Sequence, residues 1–505
     1  MDFYDAIAER GFGELLQRVE YEPPNYHGWE KCKNFMLDIV LNNKSVYIAG
    51  DYDVDGLMCE LELIGGFKYF GVKNIGIYKY RERTHNVDPV AITQCIQGHY
   101  EYFIIADAGS NDYGLLKRLT NRGVKVIILD HHDTGMSYDD YDENFAVINT
   151  TIENRCEDLY RYSAGALCYT VIDLLARELG KDTPVELSAL ATISLFSDVM
   201  DMSNTRNRAI YYLAINLLEN ELPPAAKYFL TDYNKFNARY IGFWYAPKIN
   251  ACFRTEQFDP INGLFLEDLP VMERTACVKQ MTYIWSSARK MTDIVSDIII
   301  VNQWDNFVLA DLSSVDKYIN ITLNKLWNFT GLVANQLSEK YGKTAVVFCP
   351  YDNRFKGSVR DLYSRNYLPI FKQLCFAGGH NSAFGIKLNP LDYDSFISGL
   401  RLVDQQFAIQ GIDNEPIVVD WPYQTTDIAL FNDIARFNEF SGSGVPQVLI
   451  RKQVIGSFRE VFSKYDFKYD WDGVECTSTT KLQFGQYVLL KPFYSWKLKL
   501  QAQSK

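Results

Sequence analysis

The stretch SVYIAGDYDVDG, residues 45–56, joins a short apolar run to three aspartates spaced two residues apart. Two similar runs follow it, EYFIIAD at residues 101–107 and VKVIILDHH at residues 124–132. Continuous β-branched runs of this length predict buried parallel strands, and open α/β sheets place their sites at the carboxyl ends of such strands. We therefore predict a doubly wound, mainly parallel sheet with acidic and imidazole side chains gathered at one edge.

These strand-end side chains predict a metal site. In DYDVD, alternate aspartates lie on the same side of an extended chain and can converge on a cation, while Gly56 lets the backbone turn into the next helix. Any one of these aspartates alone is more simply a turn or helix-capping residue, but the set together favours a metal. Oxygen ligands mixed with imidazole favour Mn²⁺ or Mg²⁺ over a structural zinc. The candidates are Asp51, Asp53, Asp55, Asp107, Asp130, His131 and His132.

This ordered series resembles the DHH phosphoesterase superfamily, and GDYDVDG resembles its RecJ-like single-strand exonuclease branch. The segment LATISLFSDVMDM, residues 190–202, resembles the family's next element, an aspartate after a helix, with Asp198 in that place. FWYAPKINACFRT, residues 243–255, resembles a segment of the same branch that ends in an arginine, here Arg254. FKGSVRDL and FAGGHNSAFGI, within residues 355–386, resemble the DHHA1 domain.

The resemblance implies two divalent cations, Mn²⁺ or Mg²⁺, held about 3.5–4 Å apart for phosphodiester hydrolysis. Asp107 would bridge them. Asp55, His131 and Asp198 would complete one metal, and Asp53 with Asp51 or water would complete the other. Ala49 stands where some relatives have a histidine ligand. Asp130 would orient an imidazole, and His132 would face the scissile phosphate rather than a metal.

A second set of residues would hold the nucleic-acid strand, again by resemblance. Paired glycines allow the backbone to approach a phosphate, and arginine binds phosphate through two donors at once. By itself, GGH would be no more than a glycine turn with a buried histidine. The segment YRERTHNV, residues 80–87, loosely matches an arginine-containing segment of the branch and adds Arg83. The predicted strand-binding residues are Arg83, His132, Arg254, Ser358, Arg360, Gly378, Gly379 and His380.

Composition sets the broad class of the protein. A chain of 505 residues with 47% hydrophobic and 23% charged residues is typical of a globular protein with about three domains. No apolar stretch approaches the length of a membrane span, and the first residues lack a signal-peptide pattern. The ten cysteines show no CxxC pair, which favours reduced thiols in a cytoplasm, including that of a host if the protein is viral. The net charge of −12 opposes nucleic-acid binding, but bound metals would neutralise part of it.

The pattern along the chain predicts five segments. Residues 1–40 form a helical lead-in, and residues 41–215 form the DHH catalytic domain. Residues 216–240 form a connecting helix, and residues 241–411 form a second α/β lobe that resembles DHHA1. Residues 412–505 are rich in strands and aromatic residues, which predicts a β-rich module. Its fold is either a barrel of the oligonucleotide-binding kind or a packing module.

The leading functional prediction is a metal-dependent exonuclease that degrades single-stranded DNA in the 5′→3′ direction to 5′-mononucleotides. The alternative is a phosphodiesterase that acts on oligoribonucleotides or cyclic dinucleotides. A catalytically silent DHH-fold scaffold is disfavoured because every core acidic residue and both histidines are present. The predicted partner is single-stranded DNA, with short RNA as an alternative and with a single-strand-binding protein or replication and repair proteins as further partners. The sequence leaves the oligomeric state open.

Overall fold

The structure, a computed structural model, divides the chain into two compact units. Unit 1 comprises Met1–Asn250, Phe258–Val278 and Pro416–Lys505, and unit 2 comprises Ala251–Gln257 and Lys279–Glu415. The structure describes all residues except 1, 82–86, 154–161, 232–234, 316–325, 362–364, 366, 381–382, 408–415, 421–427, 442–444, 455–458, 463–466, 472–473, 479–481, 484–485, 495–497 and 504–505.

The first sheet of unit 1 is wholly parallel and confirms the predicted α/β class. Its strand order is β2-β1-β3-β4-β5, and the burial of β1, β3 and β5 at every position explains their unbroken apolar sequences. The order reverses between β1 and β3, and such a switch point is where doubly wound sheets bind ligands. The strands are β1 Val46–Gly50, β2 Ile75–Ile77, β3 Tyr102–Ala106, β4 Lys125–Asp130 and β5 Phe145–Asn149.

Three helices, α3 Val54–Phe70, α7 Ala164–Glu178 and α8 Ser188–Ser197, carry or support the residues at the edge of this sheet. Helices α3 and α7 pack on the sheet, α8 packs against both of them, and all three contact one another. Because their sequences are apolar on most faces, they are buried nearly all round. The other helices assigned wholly or partly to unit 1 are α1 Phe3–Glu9, α2 Trp29–Leu41, α4 Pro89–Gln97, α5 Tyr113–Thr120, α6 Thr150–Glu153, α9 Thr205–Ile215, α10 Pro224–Lys227, α11 Ala238–Tyr240, α12 Ala246–Thr255, α13 Asp259–Ile261 and α14 Val271–Ile298.

The C-terminal residues of unit 1 form a seven-stranded mixed sheet, which confirms the predicted β-rich character. Its order is β12-β13-β17-β18-β16-β15-β14, and helix α18, Ile428–Glu439, packs on it. Phe3 of α1 and Tyr211 of α9 belong to the same apolar core as this sheet. The N-terminal helix and the C-terminal strands are therefore folded together. The strands are β12 Ile417–Asp420, β13 Val448–Gln453, β14 Arg459–Phe462, β15 Phe467–Trp471, β16 Val474–Ser478, β17 Tyr487–Tyr494 and β18 Leu498–Ala502.

Unit 2 is a second α/β unit, as predicted, with a six-stranded mixed sheet in the order β10-β11-β9-β8-β7-β6. The positions of the five predicted segment boundaries stay a prediction, as does the barrel topology of the last segment. The strands are β6 Val301–Gln303, β7 Phe307–Asp311, β8 Thr344–Tyr351, β9 Arg354–Arg360, β10 Phe376–His380 and β11 Ala383–Leu388. The helices are α15 Thr330–Tyr341, α16 Leu368–Leu374 and α17 Tyr393–Phe407.

The helices and the cysteines bear on the predictions about membrane spans and reduced thiols. Among the described residues, no helix combines the length and the apolar character that a bilayer crossing requires. All nine cysteines in the described part of the chain are free thiols.

Candidate metal centre

The carboxyl ends of β1 and β3 lie side by side, since Gly50 pairs with Ala106 in the parallel register. The turn after β1 depends on Gly50 and Gly56, each of which lies close to the backbone around the other. A Cβ atom on Gly50 would collide with the backbone carbonyl of Gly56, and a Cβ atom on Gly56 would collide with the backbone of Asp51. Any other residue at these positions would move the aspartates, because the interfering atoms belong to the backbone.

Asp55, His131 and Asp198 form the first candidate metal-binding group. The Nε2 atom of His131 lies 3.8 Å from Oδ2 of Asp55 and 3.7 Å from Oδ2 of Asp198. The His131 Nδ1 atom lies 2.9 Å from the backbone carbonyl oxygen of Tyr162. Because a carbonyl can only accept, Nδ1 carries the proton, and the lone pair of a neutral His131 is therefore on Nε2, the atom that faces the carboxylates.

The Asp55 carboxylate is held by the start of helix α7. The backbone N–H groups of Ala164 and Gly165 donate to its two oxygens at 3.0 and 2.8 Å. The hydroxyl of Ser194 on α8 also donates to it. The first N–H groups of a helix have no partner within the helix and carry its positive end, so a carboxylate is stabilised there. This support fixes the orientation of Asp55 towards His131.

Asp51, Asp53 and Asp107 form a second group, in which one carboxylate oxygen from each lies within 4.8 Å of the others. Asp53 also caps helix α3, since its side chain accepts from the backbone N–H of Gly56 at 3.1 Å. Asp107 adopts a left-handed backbone conformation, with φ of 61°. This conformation is uncommon outside glycine, and it turns the chain sharply at the end of β3.

Asp107 and His131 join the two groups. Oδ1 of Asp107 lies 3.1 Å from Nε2 of His131 and 3.9 Å from Nδ1 of His132. The structure therefore brings together the six residues predicted as metal ligands, with Asp107 between the Asp51–Asp53 pair and His131. The bridging role of Asp107 stays a prediction.

Asp130 lies behind the two histidines and supports both. Its Oδ1 accepts the backbone N–H groups of His131 and His132, and it lies 2.9 Å from Nδ1 of His132. Its Oδ2 accepts the backbone N–H of Ser110 at 3.1 Å. Burial alone would raise the pKa of Asp130, but the His132 ring and these hydrogen bonds lower it below its usual range. Asp130 thus lies where the predicted orienting role requires it.

His132 is the most exposed member of the cluster. Burial of its ring lowers its pKa, but the Asp130 carboxylate outweighs that effect, and with Asp51 and Asp198 it raises the pKa to about 10. Without metals, His132 is therefore a cation at neutral pH. A half-exposed cation beside the acidic groups is suited to an anionic substrate.

The pKa values of the acidic groups show how strongly the site needs cations. Burial, followed by the neighbouring charges of Asp198 and Asp53, raises the pKa of Asp55 to about 7. Burial and four aspartates raise the pKa of Asp107 well above its usual range. Oδ1 of Asp107 is buried, and none of the described residues donates a hydrogen bond to it. Divalent cations would remove both the repulsion and this unsatisfied acceptor, so the donor set fits Mn²⁺ or Mg²⁺.

Comparison with known proteins shows which family the residues of the parallel sheet match. Residues 45–195 match the sequence model of the DHH family, N-terminal domain. They form a DHH-family domain. The match includes the strand-end residues that carried the sequence prediction and ends just before Asp198.

Curated relatives that match most of the chain are named as exonucleases. The single-stranded-DNA-specific exonuclease RecJ of Bacillus subtilis is 24% identical over 484 residues, which cover 91% of this chain and 56% of the relative. This chain therefore spans just over half the length of that relative. A putative SPbeta prophage-derived single-strand DNA-specific exonuclease, YorK, of the same organism is 25% identical over 414 residues, covering 75% of this chain and 69% of the relative.

Solved structures confirm the fold beyond the DHH domain. RecJ from Thermus thermophilus in complex with Mn²⁺ matches with a TM-score of 0.73 and 18% identity, covering 99% of this chain and 74% of that one. The Mg²⁺ complex of RecJ from the same organism matches with a TM-score of 0.67 and 16% identity, covering 99% and 73%. The fold outside the DHH domain is therefore also that of RecJ.

Unit 2 holds most of the residues predicted to bind the strand. In its sheet Ser358 pairs with Gly385, which pairs with Gly378, and Arg360 pairs with Ala383, which pairs with His380. The predicted residues therefore lie on two rungs of three neighbouring strands. Their joint role in strand binding stays a prediction.

The side chains on β9 already have partners within unit 2. The hydroxyl of Ser358 lies 2.8 Å from that of Thr330, and Arg360 donates to the carbonyl of Val359 at 2.8 Å. Burial lowers the pKa of Arg360 to about 10. Gly379, the glycine next to Gly378, has φ of 133°, a backbone conformation that side chains rarely adopt.

Three other predicted binding residues are less defined. Arg254 is half-buried in the last turn of α12. Arg83 and the side chain of His380 lie outside the described residues.

Sequence reasoning missed the residues that fix the DHH-domain ligands. They are Tyr162 and Ser194, together with the helix N-terminus at Ala164 and Gly165. Ser163 caps α7 by accepting from the N–H of Ala166. A serine before an apolar helix predicts a cap, but nothing in the sequence links the Ala164 N–H that follows it to a carboxylate 109 positions away.

Proposed function

We propose that this protein is a hydrolase, a RecJ-like exonuclease that cleaves phosphodiester bonds of single-stranded DNA from the 5′ end and releases 5′-mononucleotides. The observation that carries the proposal is the pair of acidic groups joined by Asp107 and His131 at the switch point of the DHH sheet. The names of the relatives support single-stranded DNA as the substrate.

Two divalent cations, Mn²⁺ or Mg²⁺, would be held by the two groups. Asp55, His131 and Asp198 would bind one, Asp51 and Asp53 would bind the other, and Asp107 would contact both. When bound, such a pair supplies a hydroxide nucleophile at neutral pH and stabilises charge on the attacking and leaving oxygens. Asp51, which lies within the second group, or a water would take the place of the histidine ligand that is absent at Ala49.

The remaining residues position these ligands and the substrate. Tyr162 fixes the tautomer of His131, and the N-terminus of α7 fixes Asp55. Asp130, 2.9 Å from Nδ1 of His132, raises the pKa of that ring, and a protonated His132 would place positive charge against a non-bridging phosphate oxygen. A fixed cation costs no reorganisation during the reaction, which is why it would favour the transition state.

Unit 2 would bind the strand. Ser358, Arg360 and the backbone of Gly378 and Gly379 would contact phosphates, with Arg254, His380 and Arg83 as further contacts. Arginine and exposed glycine N–H groups recognise phosphate oxygens without reading the base, which suits an enzyme that degrades any sequence. A cytoplasmic role in DNA repair or recombination, with a single-strand-binding protein as partner, stays a prediction.

A substrate panel tests the proposal. Single strands labelled at the 5′ or the 3′ end, duplexes, short RNA and cyclic dinucleotides would be incubated with the full chain and Mn²⁺ or Mg²⁺. The Asp107→Asn variant removes one charge from the cluster, and Asp139→Asn is a matched control on an exposed turn. We expect mononucleotides from the 5′ end of single-stranded DNA with the parent protein and the control only.

Other outcomes are equally decisive. Cleavage confined to short RNA or cyclic dinucleotides would show the alternative phosphodiesterase activity. Equal rates for Asp107→Asn and the parent protein would exclude the proposed metal centre as the site of hydrolysis. Binding of single strands without cleavage under either metal would point to a catalytically silent scaffold.

A further inference from the structure

A cavity of about 230 Å³ lies in unit 1, apart from the predicted metal ligands. Its walls come from the end of α8, the π-helical turn Ile241–Tyr245, helix α18 and strand β17. No predicted metal ligand lines it, and the mechanism proposed above does not use it. Single π-helical turns are rare and frequently mark functional sites.

Two cations, Arg239 and Lys491, face this cavity. Within the described part of the chain, neither forms an ion pair or a hydrogen bond. The described contacts of Arg239 are with aromatic rings, at 4.0 Å from the ring centre of Phe493 and 5.1 Å from that of Phe243. Two partly buried cations without a carboxylate partner are unusual in a chain whose acidic residues outnumber its basic ones by 12.

The environment of these cations is unfavourable to their charge. Burial lowers the pKa of Arg239. Burial and the positive charge of Arg239 lower the pKa of Lys491 to about 8. Folding has therefore placed two like charges together in a partly buried site, an arrangement that a bound anion would relieve.

The carboxylate that lines the cavity does not neutralise them. Glu439 accepts a hydrogen bond from the hydroxyl of Tyr211. Burial raises the pKa of Glu439 to about 7, so it is largely uncharged at slightly acidic pH. The net charge of the cavity walls is then positive, which favours a partner of opposite charge.

The aromatic rings at the cavity narrow the choice of anion. Phe243 is 61% exposed, so part of its ring remains accessible to a planar group, and Phe493 is the second ring that Arg239 contacts. Bases stack on such rings with little regard to sequence. We propose that this cavity binds the phosphate of a nucleotide through Arg239 and Lys491, with the base against Phe243.

The cavity also touches the loop that carries a predicted metal ligand. Val199, which lines it, directly follows Asp198 and has φ of 53°. A β-branched residue rarely adopts this left-handed conformation, so the turn is strained. A nucleotide in the cavity and the metal centre would share this turn.

Direct binding tests the inference. The choice of a nucleotide rests on the proposed function, but the assay does not, because it is run in EDTA, where no metal-dependent hydrolysis occurs. Equilibrium dialysis would measure labelled dTMP binding to the full chain and to Arg239→Gln and Lys491→Met. Arg118→Gln, which replaces an exposed cation on α5, is the matched control. We expect one dTMP site per chain to lose at least tenfold in affinity in the two cavity variants and none in the control, while any dTMP bound by the proposed phosphate contacts of unit 2 stays unchanged.

Three ligands identify which part of the nucleotide is bound. Inorganic phosphate should compete with dTMP, and thymidine, which lacks phosphate, should not bind. A different outcome is that a 5′-blocked oligothymidylate binds the parent protein more tightly than the two cavity variants, while dTMP does not bind. That result would show that the phosphate recognised by the cavity belongs to a nucleic-acid strand. Equal binding of dTMP or oligothymidylate to parent and variants would overturn the inference, as would thymidine binding as tight as that of dTMP.

A folding control separates binding from structure. Lys491→Met removes a charge that burial and Arg239 both disfavour, so its melting temperature should equal or exceed that of the parent. If Arg239→Gln fails to fold because it loses the contact with Phe493, Lys491→Met alone decides the question. A Lys491→Met protein that melts lower than the parent would show that Lys491 is a structural residue instead.

Discussion

Removing one charge from the metal cluster should stabilise the protein without metals and abolish the stabilisation that metals provide. Asp107→Asn is the perturbation of choice, because Asp107 lies between the two acidic groups and is 2% exposed. Asparagine keeps the size of the side chain, so the change is mainly one of charge. The same substitution should also remove the carboxylate that we propose contacts both metals.

The distances set the size of the effect. One oxygen of Asp107 lies within 4.8 Å of an oxygen of Asp51 and of Asp53. With an effective dielectric constant of about 20, each like-charge pair at that distance costs about 3.5 kcal/mol. Protonation relieves part of this cost, because the pKa of Asp107 is already raised. We therefore expect a gain of about 1–3 kcal/mol in the unfolding free energy of unit 1 in EDTA at pH 8.

The stabilisation of the folded protein by bound metal follows from mass action. A cation at 100 times its dissociation constant stabilises the folded state by about 2.7 kcal/mol. The parent protein should gain this amount with Mn²⁺, whereas Asp107→Asn should gain little. The order of stability should thus depend on the buffer. The variant should be more stable than the parent in EDTA, and the parent should be more stable than the variant with metal.

Thermal unfolding in EDTA and in Mn²⁺, followed by calorimetry, checks this prediction. Asp139→Asn, which removes an exposed charge outside the cluster, should behave like the parent in both buffers. If Asp107→Asn melted below the parent in EDTA and kept the full Mn²⁺ shift, the reasoning would be refuted. Asp107 would then be a structural residue and not a metal ligand.

Three further predictions follow from named contacts. Ser194→Ala should weaken Mn²⁺ affinity about 10-fold, measured by calorimetric titration, because Asp55 loses the hydroxyl that orients it, whereas an unchanged affinity would exclude this role. Glu439→Gln should raise the melting temperature at pH 8 but not at pH 4. The folded-state pKa of about 7 lies above the usual value of 4.5, so the parent loses stability as pH rises between them, and a gain that did not depend on pH would contradict this origin. Gly56→Ala should lower both stability and metal affinity, measured in the same way, because its Cβ atom would collide with backbone, and parent-like values would show that the turn can relax.

Much of the candidate metal centre could be predicted because most of its proposed ligands follow directly from strand ends. Apolar runs locate β1, β3 and β4, and the parallel arrangement brings their carboxyl ends to one edge. This rule was enough to predict Asp51 and Asp107 as candidate ligands. Asp198 lies after a helix rather than a strand, so only the resemblance to a known family indicated it.

The supporting contacts could not be predicted because they join distant parts of the chain. The hydroxyl of Ser194 reaches a carboxylate 139 positions away, and its sequence context is an ordinary apolar helix. The shared core of Phe3 with the C-terminal strands is likewise a long-range contact. Local patterns specify what forms a helix or strand, but not which buried faces meet.

The sequence by itself determined the parallel sheet, the acidic and imidazole groups at its edge, and the chemistry that those groups favour. It could do so because strand period and burial are local properties, and because a parallel sheet gathers its strand ends. Only the tertiary structure decided which nitrogen of His131 faces the carboxylates, how the α7 N-terminus holds Asp55, and that Arg239 and Lys491 share a cavity. Hydrogen-bond direction, helix-end electrostatics and unpaired buried charge depend on three-dimensional neighbours, and sequence spacing does not specify them.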